Sequence, residues 1–306
     1  MKFYIASLPR SGSTLLQNML ATDENVYTAS EGWIELYFES LNSRNLETKS
    51  TYGNSGVDHY LDELTDKLGI DRAQIPQILS EALDNYIQNK ISKKYGNSQS
   101  RIILDKTPRY FYIIEELLKR VDTKLIILRR HPVAVLASYE KAFCKTAYKL
   151  PLYLNDFKVG YKNIIHHRLN EDEKLIQVSY RSLVDDTVTE MKKIEKMLNV
   201  NIDLKKLSFS KRTGRLGDPH YGDKSKIVRR KSVCISLAGF LFMKLFLRDI
   251  VTKYDVSFPD DKEEYVIRPI VRDFINIPSL LFFYIAWIFN FKVIQNGFSK
   301  EKGRLL

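Results

Sequence analysis

Four short apolar runs mark the first two thirds of the chain, and longer segments of helical period separate them. The runs cover residues 2–7, 101–105, 124–129 and 174–178. They are rich in β-branched residues and have charged ends, a pattern that predicts buried β-strands. Because strands that alternate with helices form βαβ units, the sequence predicts an α/β fold with a mostly parallel central sheet.

The segments between these strands repeat apolar residues at helical spacing. They cover residues 13–21, 57–68, 74–95, 109–119, 132–143 and 187–198. A polar stretch rich in Gly, Ser and Asn, residues 42–56, predicts a surface loop. Parallel sheets bind ligands outside the carboxyl ends of their strands. The residues that follow each strand are therefore the candidates for function.

The character of the chain changes after residue 231. Residues 233–247 are apolar apart from Ser236 and Lys244, and residues 274–291 contain no charge. The second stretch approaches the length of about 20 residues that a membrane span needs, but polar residues and a proline interrupt it. Three interpretations stay open: a buried or dimer-forming helix, a helix in the membrane interface, and a true span.

Composition excludes several classes of protein. The chain has 306 residues, of which 44% are hydrophobic, so it can build a packed core and is not disordered throughout. Two cysteines, Cys144 and Cys234, cannot form a disulfide framework or a Cys-rich zinc site, and they indicate a reducing compartment. The first apolar run is typical of a strand rather than a signal peptide, so we expect a cytoplasmic protein.

Positive charge is concentrated in one segment. The net charge is +11, and residues 205–231 alone contribute +8 through ten basic and two acidic residues. Such a segment predicts contact with a phosphorylated cofactor, an acidic substrate or an anionic membrane surface. A solvated basic loop is the alternative. The chain carries no signature of a nucleic-acid-binding module, so nucleic acid is not an expected partner.

The segment LPRSGSTLL after the first strand is a candidate anion site, since it leads directly into a helix. Small residues expose backbone N–H groups at a helix N-terminus, and Ser11, Ser13 and Thr14 add hydroxyls. The ATP-binding template G-x-x-x-x-G-K-[ST] matches only Gly12 and Thr14, and Ser13 replaces its lysine. The loop therefore suits a phosphate-type group better than ATP with magnesium. Arg10 supplies a cation at its entrance.

Two further strand ends carry cations. Lys106 follows the second predicted strand and Arg130 the third, while Pro132 begins a helix on which Ser138 adds a hydroxyl. Each charge alone is explained by solvation. Together with the first loop, however, they predict a nucleotide that carries phosphates at both ends of its ribose.

These segments resemble the sulfotransferase family that uses 3′-phosphoadenosine 5′-phosphosulfate (PAPS). PRSGSTLL resembles the 5′-phosphosulfate loop of that family, and LRRHPVAVLAS resembles its 3′-phosphate motif. VSYRSLVDD resembles a tyrosine-led segment before a helix, although Arg181 and Ser182 replace the usual acidic pair. RTGRLGDP resembles the glycine-rich loop that closes on the nucleotide. The motifs run in family order from about residue 3 to residue 219.

The resemblance implies a P-loop-like three-layer fold and a PAPS-binding domain at residues 1–223, followed by a basic and apolar helical extension at residues 224–306. It implies PAPS as donor, 3′-phosphoadenosine 5′-phosphate (PAP) as product, an acceptor hydroxyl and no metal. The implied nucleotide contacts are Arg10, Ser11, Gly12, Ser13 and Thr14 at the phosphosulfate, Arg130 and Ser138 at the 3′-phosphate, Tyr180 near the adenine, and Arg212 and Arg215 in the closing loop.

The catalytic base is not where the cytosolic relatives have it. They carry a histidine two residues after the lysine, where this chain has Pro108. In protein-tyrosine sulfotransferases and many bacterial relatives, a glutamate about twenty residues after the loop arginine does this work, which points to Glu31. We therefore expect Glu31 to be the base and Lys106 to neutralise developing charge. His131 is an alternative base, and so is Asp105, although Asp105 is expected rather to orient Lys106.

Two other classes of protein remain open. A nucleotide kinase or other NTPase with a degenerate P-loop would use the same loop, and a non-catalytic membrane-surface protein would use the basic run and the C-terminal helices. For the enzyme, the acceptor is a glycan, a lipid or a small molecule such as a phenol. Candidate aromatic residues for its pocket are Trp33, Tyr37, Tyr148 and Tyr153.

Overall fold

A parallel β-sheet of five strands forms the centre of the molecule. The strands are β1 (Lys2–Ser7), β2 (Val26–Thr28), β3 (Ile102–Lys106), β4 (Thr123–Arg129) and β5 (Leu175–Ser179). Their order is β2–β3–β1–β4–β5, which puts β1 between β3 and β4. The computed structural model describes residues 2–28, 31–42, 61–62, 65–67, 69, 71–95, 102–144, 149–167, 173–206, 233–271 and 273–288.

The four predicted strands are all present, and each lies within one residue of its predicted bounds. All pair in parallel, as the alternation of strands and helices predicts. Strand β2 at the edge of the sheet was not predicted, because a run of three residues is too short to show a period. Val26 pairs there with Ile102 of β3.

Helices cover both faces of this sheet. They are α1 (Ser13–Leu20), α2 (Ile34–Asn42), α3 (Ile75–Tyr95), α4 (Ile114–Lys119), α5 (Pro132–Phe143), α6 (Leu154–His166), α7 (Tyr180–Asp185) and α8 (Thr187–Leu198). Predictions for α5 and α8 agree at both ends, because local residues fix those ends. Pro132 suits a first helical turn, and the side chain of Asp186 accepts a hydrogen bond from the N–H of Thr189.

The predicted helix at residues 109–119 is only partly α-helical, since a 3-10 segment, Pro108–Ile113, precedes α4. Most of the predicted helix at residues 57–68 lies outside the described residues.

Alternate side chains of β1 point into two separate apolar layers. Phe3 and Ile5 pack with α1 and α8, whereas Tyr4 and Ala6 pack with α5 and α6. All four are at most 1% exposed. Burial of one large apolar side chain stabilises a fold by about 1.5–3 kcal/mol, so a shift of β1 by one residue is strongly disfavoured. The predicted three-layer α/β architecture is confirmed.

A buried network of charges ties α2 to the start of β1. Lys2 Nζ lies 2.7 Å from Glu35 Oε1, and Ser80 Oγ donates to the same oxygen over 2.8 Å. Arg120 donates to Glu35 Oε2 and, over 2.7 Å, to Glu39. Burial alone would raise the pKa of Glu35, but the Lys2 and Arg120 cations outweigh it and hold that pKa below its ordinary value. The network fixes the helix that follows Glu31.

The C-terminal part adds further elements to one face of the sheet. They are β6 (Val233–Ile235), α9 (Leu237–Phe242), a π-helical turn (Met243–Leu247), α10 (Arg248–Ser257), β7 (Tyr265–Ile267) and α11 (Asp273–Ile288). Phe242 and Tyr254 join the same core as Phe157 and Tyr161 of α6. The described part of the predicted extension therefore shares a core with the preceding domain.

Helix α11 is buried on one side and exposed on the other. Leu280 is fully buried, whereas Phe274 is 86% and Phe282 68% exposed. None of the helices in the described ranges combines the length and the apolar character that a membrane crossing requires.

Candidate active site

The turn between β1 and α1 has the geometry of an anion-binding loop. Arg10 and Gly12 both have positive φ, 70° and 97°. Helix α1 starts at Ser13 without a side-chain cap among the described residues, so its first N–H groups have no intrahelical acceptor. Ser11 Oγ is buried and has no hydrogen-bond partner in the described part of the chain. Because an unpaired buried hydroxyl costs about 1–3 kcal/mol, a bound anion would stabilise this loop.

Arg130 and Ser138 contact this loop from β4 and α5. Arg130 Nη1 donates to the carbonyl oxygen of Arg10 over 3.0 Å, and Arg10 Nε donates to Ser138 Oγ over 3.3 Å. The Tyr161 hydroxyl donates to the Arg130 carbonyl oxygen over 2.8 Å and so holds the backbone there. The structure brings together the residues expected at the two ends of a nucleotide.

Tyr180, the first residue of α7, closes the third side of this site. The guanidinium carbon of Arg130 lies 4.3 Å from the centre of the Tyr180 ring, a cation–π contact. The same ring packs against Gly12, and a Cβ atom at Gly12 would overlap it. Glycine at this position therefore satisfies two requirements, a positive φ and a close contact.

Lys106 and Glu31, the predicted catalytic pair, form an ion pair. Lys106 Nζ lies 2.6 Å from Glu31 Oε1. The Lys106 side chain is only 3% exposed and that of Glu31 is 16% exposed, so the carboxylate is the more accessible partner. Lys106 is the last residue of β3, which pairs with β1. The ion pair therefore lies at the same edge of the sheet as the anion-binding loop.

The two alternative bases have other partners. His131 Nδ1 accepts a hydrogen bond from the N–H of Val133, and its Nε2 lies 2.9 Å from Asp255 Oδ1. With both ring nitrogens engaged, His131 acts as the cap of α5 and does not fit the role of a base.

Asp105 accepts a hydrogen bond from the Tyr110 hydroxyl over 2.8 Å, and burial raises its pKa to about 6. We expected Asp105 to orient Lys106. Consecutive strand residues point to opposite faces, however, and Lys106 pairs with Glu31 instead.

Arg109, a residue that was not predicted, follows Lys106 by three positions in the chain. It binds Asp156 through Nε over 3.0 Å and Nη2 over 2.7 Å, and its guanidinium carbon lies 5.1 Å from the Trp33 ring. The N–H of Trp33 donates to Thr107 Oγ1 over 3.3 Å. Contacts from the segment after Lys106 thus hold the segment after Glu31. Sequence spacing gives no signal for the pairing of Arg109 with Asp156, which is 47 residues away.

Among the described residues of the predicted aromatic set, Trp33 contacts Arg109 and Thr107, which follow Lys106 in the chain. Tyr37 is 63% exposed on α2, and Tyr153 packs on Tyr139 and Phe143. Other predicted residues lie outside the described ranges: Arg212, Arg215, Tyr148 and most of the basic run. Within those ranges, no group of three or more His, Cys, Asp or Glu residues is arranged to hold a metal ion.

Fold and site together define an α/β protein with a nucleotide-type anion site at the carboxyl ends of parallel strands. A sequence model described as "Sulfotransferase family" matches residues 3–203. The chain belongs to the sulfotransferase family, and this prediction from its motifs is confirmed.

The comparisons also identify individual relatives. The nodulation protein NoeE of Sinorhizobium fredii (strain NBRC 101917 / NGR234) is 25% identical over 141 residues, which cover 46% of this chain and 31% of that protein. The sulfotransferase domain of the olefin synthase from Synechococcus PCC 7002 is 24% identical, with a TM-score of 0.47, and the match covers 74% of this chain and 84% of that domain. Mouse sulfotransferase SULT7A1, solved in complex with PAP, is 14% identical with a TM-score of 0.40. The match covers 85% of this chain and 84% of that protein.

Proposed function

We propose that this chain transfers a sulfuryl group from PAPS to the hydroxyl group of an acceptor and releases PAP. The observation that carries the proposal is the contact of Arg130 and Ser138 with the loop around Arg10, in a chain of the sulfotransferase family. PAPS has a phosphosulfate at one end of its ribose and a phosphate at the other. It therefore needs two neighbouring anion sites, and adjacent strand ends supply them.

The residues present fit this donor. The N–H groups at the start of α1 and the unpartnered hydroxyl of Ser11 suit the phosphosulfate, with Ser13 and Thr14 beside them. Arg10 at the entrance of that loop adds a cation for the phosphosulfate, and Arg130 and Ser138 suit the 3′-phosphate, since arginine forms paired hydrogen bonds with phosphate oxygens. The ring of Tyr180 offers a flat surface for the adenine. Arg212 and Arg215 lie outside the described residues and stay predicted nucleotide contacts.

The chemistry follows from the Lys106–Glu31 pair. The acceptor oxygen forms a bond to sulfur while the bond from sulfur to the phosphate oxygen breaks, and PAP leaves with that electron pair. Glu31 takes the proton of the acceptor hydroxyl. Lys106 has three donors, of which one lies on Glu31, and the others can stabilise charge on the bridging oxygen. Positioning and electrostatics dominate such transfers.

A transfer assay tests the reaction directly. Radiolabelled PAPS is incubated with the protein and a panel of glycans, hydroxylated lipids and phenols, and labelled sulfate on the acceptor is counted. We expect label on at least one class, because the Glu31 side chain is 16% exposed and its carboxylate can meet an acceptor hydroxyl. No transfer to any class, with PAP binding intact, would contradict the enzymatic proposal.

A comparison of two ligands distinguishes a sulfotransferase from an NTPase. PAP and ATP with magnesium are compared in a thermal-shift assay, in which only a ligand of the folded state raises the melting temperature. We expect a shift with PAP and none with ATP and magnesium, because Ser13 stands where the P-loop lysine of an ATPase would be. The reverse pattern would identify a nucleotide kinase or another NTPase.

We further propose that the exposed face of α11 binds an anionic membrane surface. Phe274, Ile275 and Phe282 on that face are 86%, 72% and 68% exposed. Exposed aromatic side chains in a chain that also carries a strongly basic segment are typical of proteins that lie on anionic lipid. Cys144 and Cys234 are both free thiols, which suits a reducing compartment, so the cytoplasmic leaflet is the proposed location.

Sedimentation with vesicles tests the membrane proposal. We expect the protein to sediment with phosphatidylserine vesicles, and the double variant Phe274→Ser/Phe282→Ser to bind about tenfold more weakly. Val256→Ser, at an exposed apolar residue of α10, is the control and should bind like the wild type. Equal recovery in the supernatant with and without vesicles would contradict the proposal. A dimer in size-exclusion chromatography that only the double variant disrupts would assign this face to self-association instead.

A further inference from the structure

Asp261 joins the ends of two central strands through one buried carboxylate. It follows α10 in the chain and is 3% exposed. Its Oδ2 accepts hydrogen bonds from Arg129 Nη1 and, over 2.9 Å, from the Tyr254 hydroxyl. Its Oδ1 accepts a hydrogen bond from Ser179 Oγ. Both carboxylate oxygens are therefore occupied by groups of the protein itself.

Arg129 and Ser179 are the last residues of β4 and β5, and they pair with each other in the sheet. The next residue of each strand belongs to the candidate nucleotide site, Arg130 after β4 and Tyr180 after β5. Asp261 therefore binds the side chains of the two residues immediately before the predicted nucleotide contacts, at the point where the pairing of β4 with β5 ends.

A second carboxylate of the same segment acts on the adjoining helix. Asp255 of α10 lies 2.9 Å from Nε2 of His131, whose other ring nitrogen caps α5. Helix α5 carries Ser138. The segment around α10 thus contacts the supports of Arg130, Tyr180 and Ser138, although it lies beyond residue 203, where the match to the family ends.

We propose that Asp261 is a positioning residue for the 3′-phosphate of the nucleotide. It holds Arg130 and Tyr180 in the arrangement in which the guanidinium lies over the ring, and it does not itself touch the nucleotide. It also neutralises Arg129, a second cation directly beside Arg130, which would otherwise repel it. The proposal rests on the proposed function, since it takes Arg130 to be the ligand of the 3′-phosphate.

Isothermal titration with two nucleotides separates this role from a general effect on folding. PAP carries the 3′-phosphate and adenosine 5′-phosphate lacks it. In Asp261→Asn we expect the affinity for PAP to fall roughly 5–30-fold, while the affinity for adenosine 5′-phosphate changes less than about twofold. Asp260→Asn, an exposed neighbour with the same change of charge, is the matched control and should bind both ligands like the wild type.

Two reference variants make each outcome interpretable. Arg130→Ala should lower PAP affinity about 10–100-fold, the scale of a lost charged hydrogen bond. If it does so and Asp261→Asn weakens both ligands equally, or neither, the positioning role is wrong while the proposed function stands. If Arg130→Ala leaves PAP selectivity unchanged, the site assignment itself is wrong. Should Asp261→Asn not fold, Tyr254→Phe removes one hydroxyl that donates to Asp261 and keeps the ring, and it should lower PAP affinity about two- to fivefold with the same selectivity.

Discussion

The two ends of β1 carry polar groups that are arranged in opposite ways. At its start, Lys2 and Glu35 are buried and bind each other, and Arg120 and Ser80 add further hydrogen bonds to the same carboxylate. At its end, Ser11 Oγ is buried without a partner in the described ranges, and the first N–H groups of α1 have no side-chain cap there. At the start of β1 the described polar groups satisfy one another, whereas its end leaves polar groups that a bound anion would satisfy.

This difference distinguishes structural charges from functional ones more reliably than residue type does. Each end contains cationic residues close to a carboxylate. At the first end, Glu35 is fully buried, so its contacts are all with the protein. At the second end, the Glu31 carboxylate retains some exposure, which a base needs in order to reach an acceptor. Perturbing each end should therefore change a different measurable property.

The largest expected effect comes from the start of β1, where the buried charges are paired within the protein. Glu35→Ala removes the carboxylate that Lys2 and Arg120 share and leaves two buried cations with fewer partners. We expect the free energy of unfolding to fall by about 3–5 kcal/mol, the typical cost of breaking a buried ion pair. Urea denaturation measures it. Glu81→Ala, at an exposed residue of α3, is the control and should change stability by less than about 0.5 kcal/mol.

A Glu35→Ala variant as stable as the wild type would mean that the network contributes nothing net to the fold. The two ends of β1 would then differ in the geometry of their polar contacts but not in what these contacts contribute to the free energy of unfolding.

The next effect concerns the other end of β1, near Ser11 and Glu31, and should appear in the rate of the reaction rather than in the stability of the fold. Glu31→Gln keeps the shape of the side chain but removes the base, so we expect kcat to fall roughly 10²–10⁴-fold. Affinity for PAP, measured by titration, should stay within about twofold, because Glu31 does not bind the nucleotide in the proposed mechanism. Glu24→Gln, at an exposed residue ion-paired with Lys206, serves as the control. An unchanged kcat in Glu31→Gln would assign the base to another residue.

The local part of this structure was predictable from sequence. Pro132 and Asp186 specify helix starts by their own chemistry, and four strands of five or more residues show their period within one run. The loop around Gly12 and the cations at the strand ends were predictable because each follows a predicted strand directly in the chain. Parallel topology then brings the carboxyl ends of all these strands to one edge of the sheet.

The remaining contacts depend on the tertiary structure. Arg109 meets Asp156 across 47 residues, Arg120 meets Glu35 across 85, and Arg129 meets Asp261 across 132. In each case an ordinary charged residue becomes buried only when helices pack on the sheet. No spacing rule connects such partners in a single sequence. The expectation that Asp105 would orient Lys106, its neighbour in the chain, fails for a different, local reason, because consecutive residues of a strand point to opposite faces.

The smallest expected effect concerns Asp105. Burial affects its carboxyl as it affects that of Glu35, but among the described residues no cation lies within hydrogen-bonding distance of it. Burial raises its pKa from 3.8 to about 6, so the folded state binds more protons than the unfolded state between these values. Stability contributed by this group is therefore greatest below pH 4 and is lost as pH rises through 6. Asp105→Asn keeps a neutral acceptor for Tyr110, so its stability relative to wild type should increase by about 2–3 kcal/mol between pH 4 and pH 7. Urea unfolding at both pH values measures this difference in stability, with the exposed Asp249→Asn as the charge-matched reference.

A stability difference between Asp105→Asn and the wild type that stays constant across this pH range would contradict the prediction. It would show that ionising Asp105 costs no more in the folded protein than in the unfolded chain. Burial alone would then not distinguish the charges at the start of β1 from those at its end.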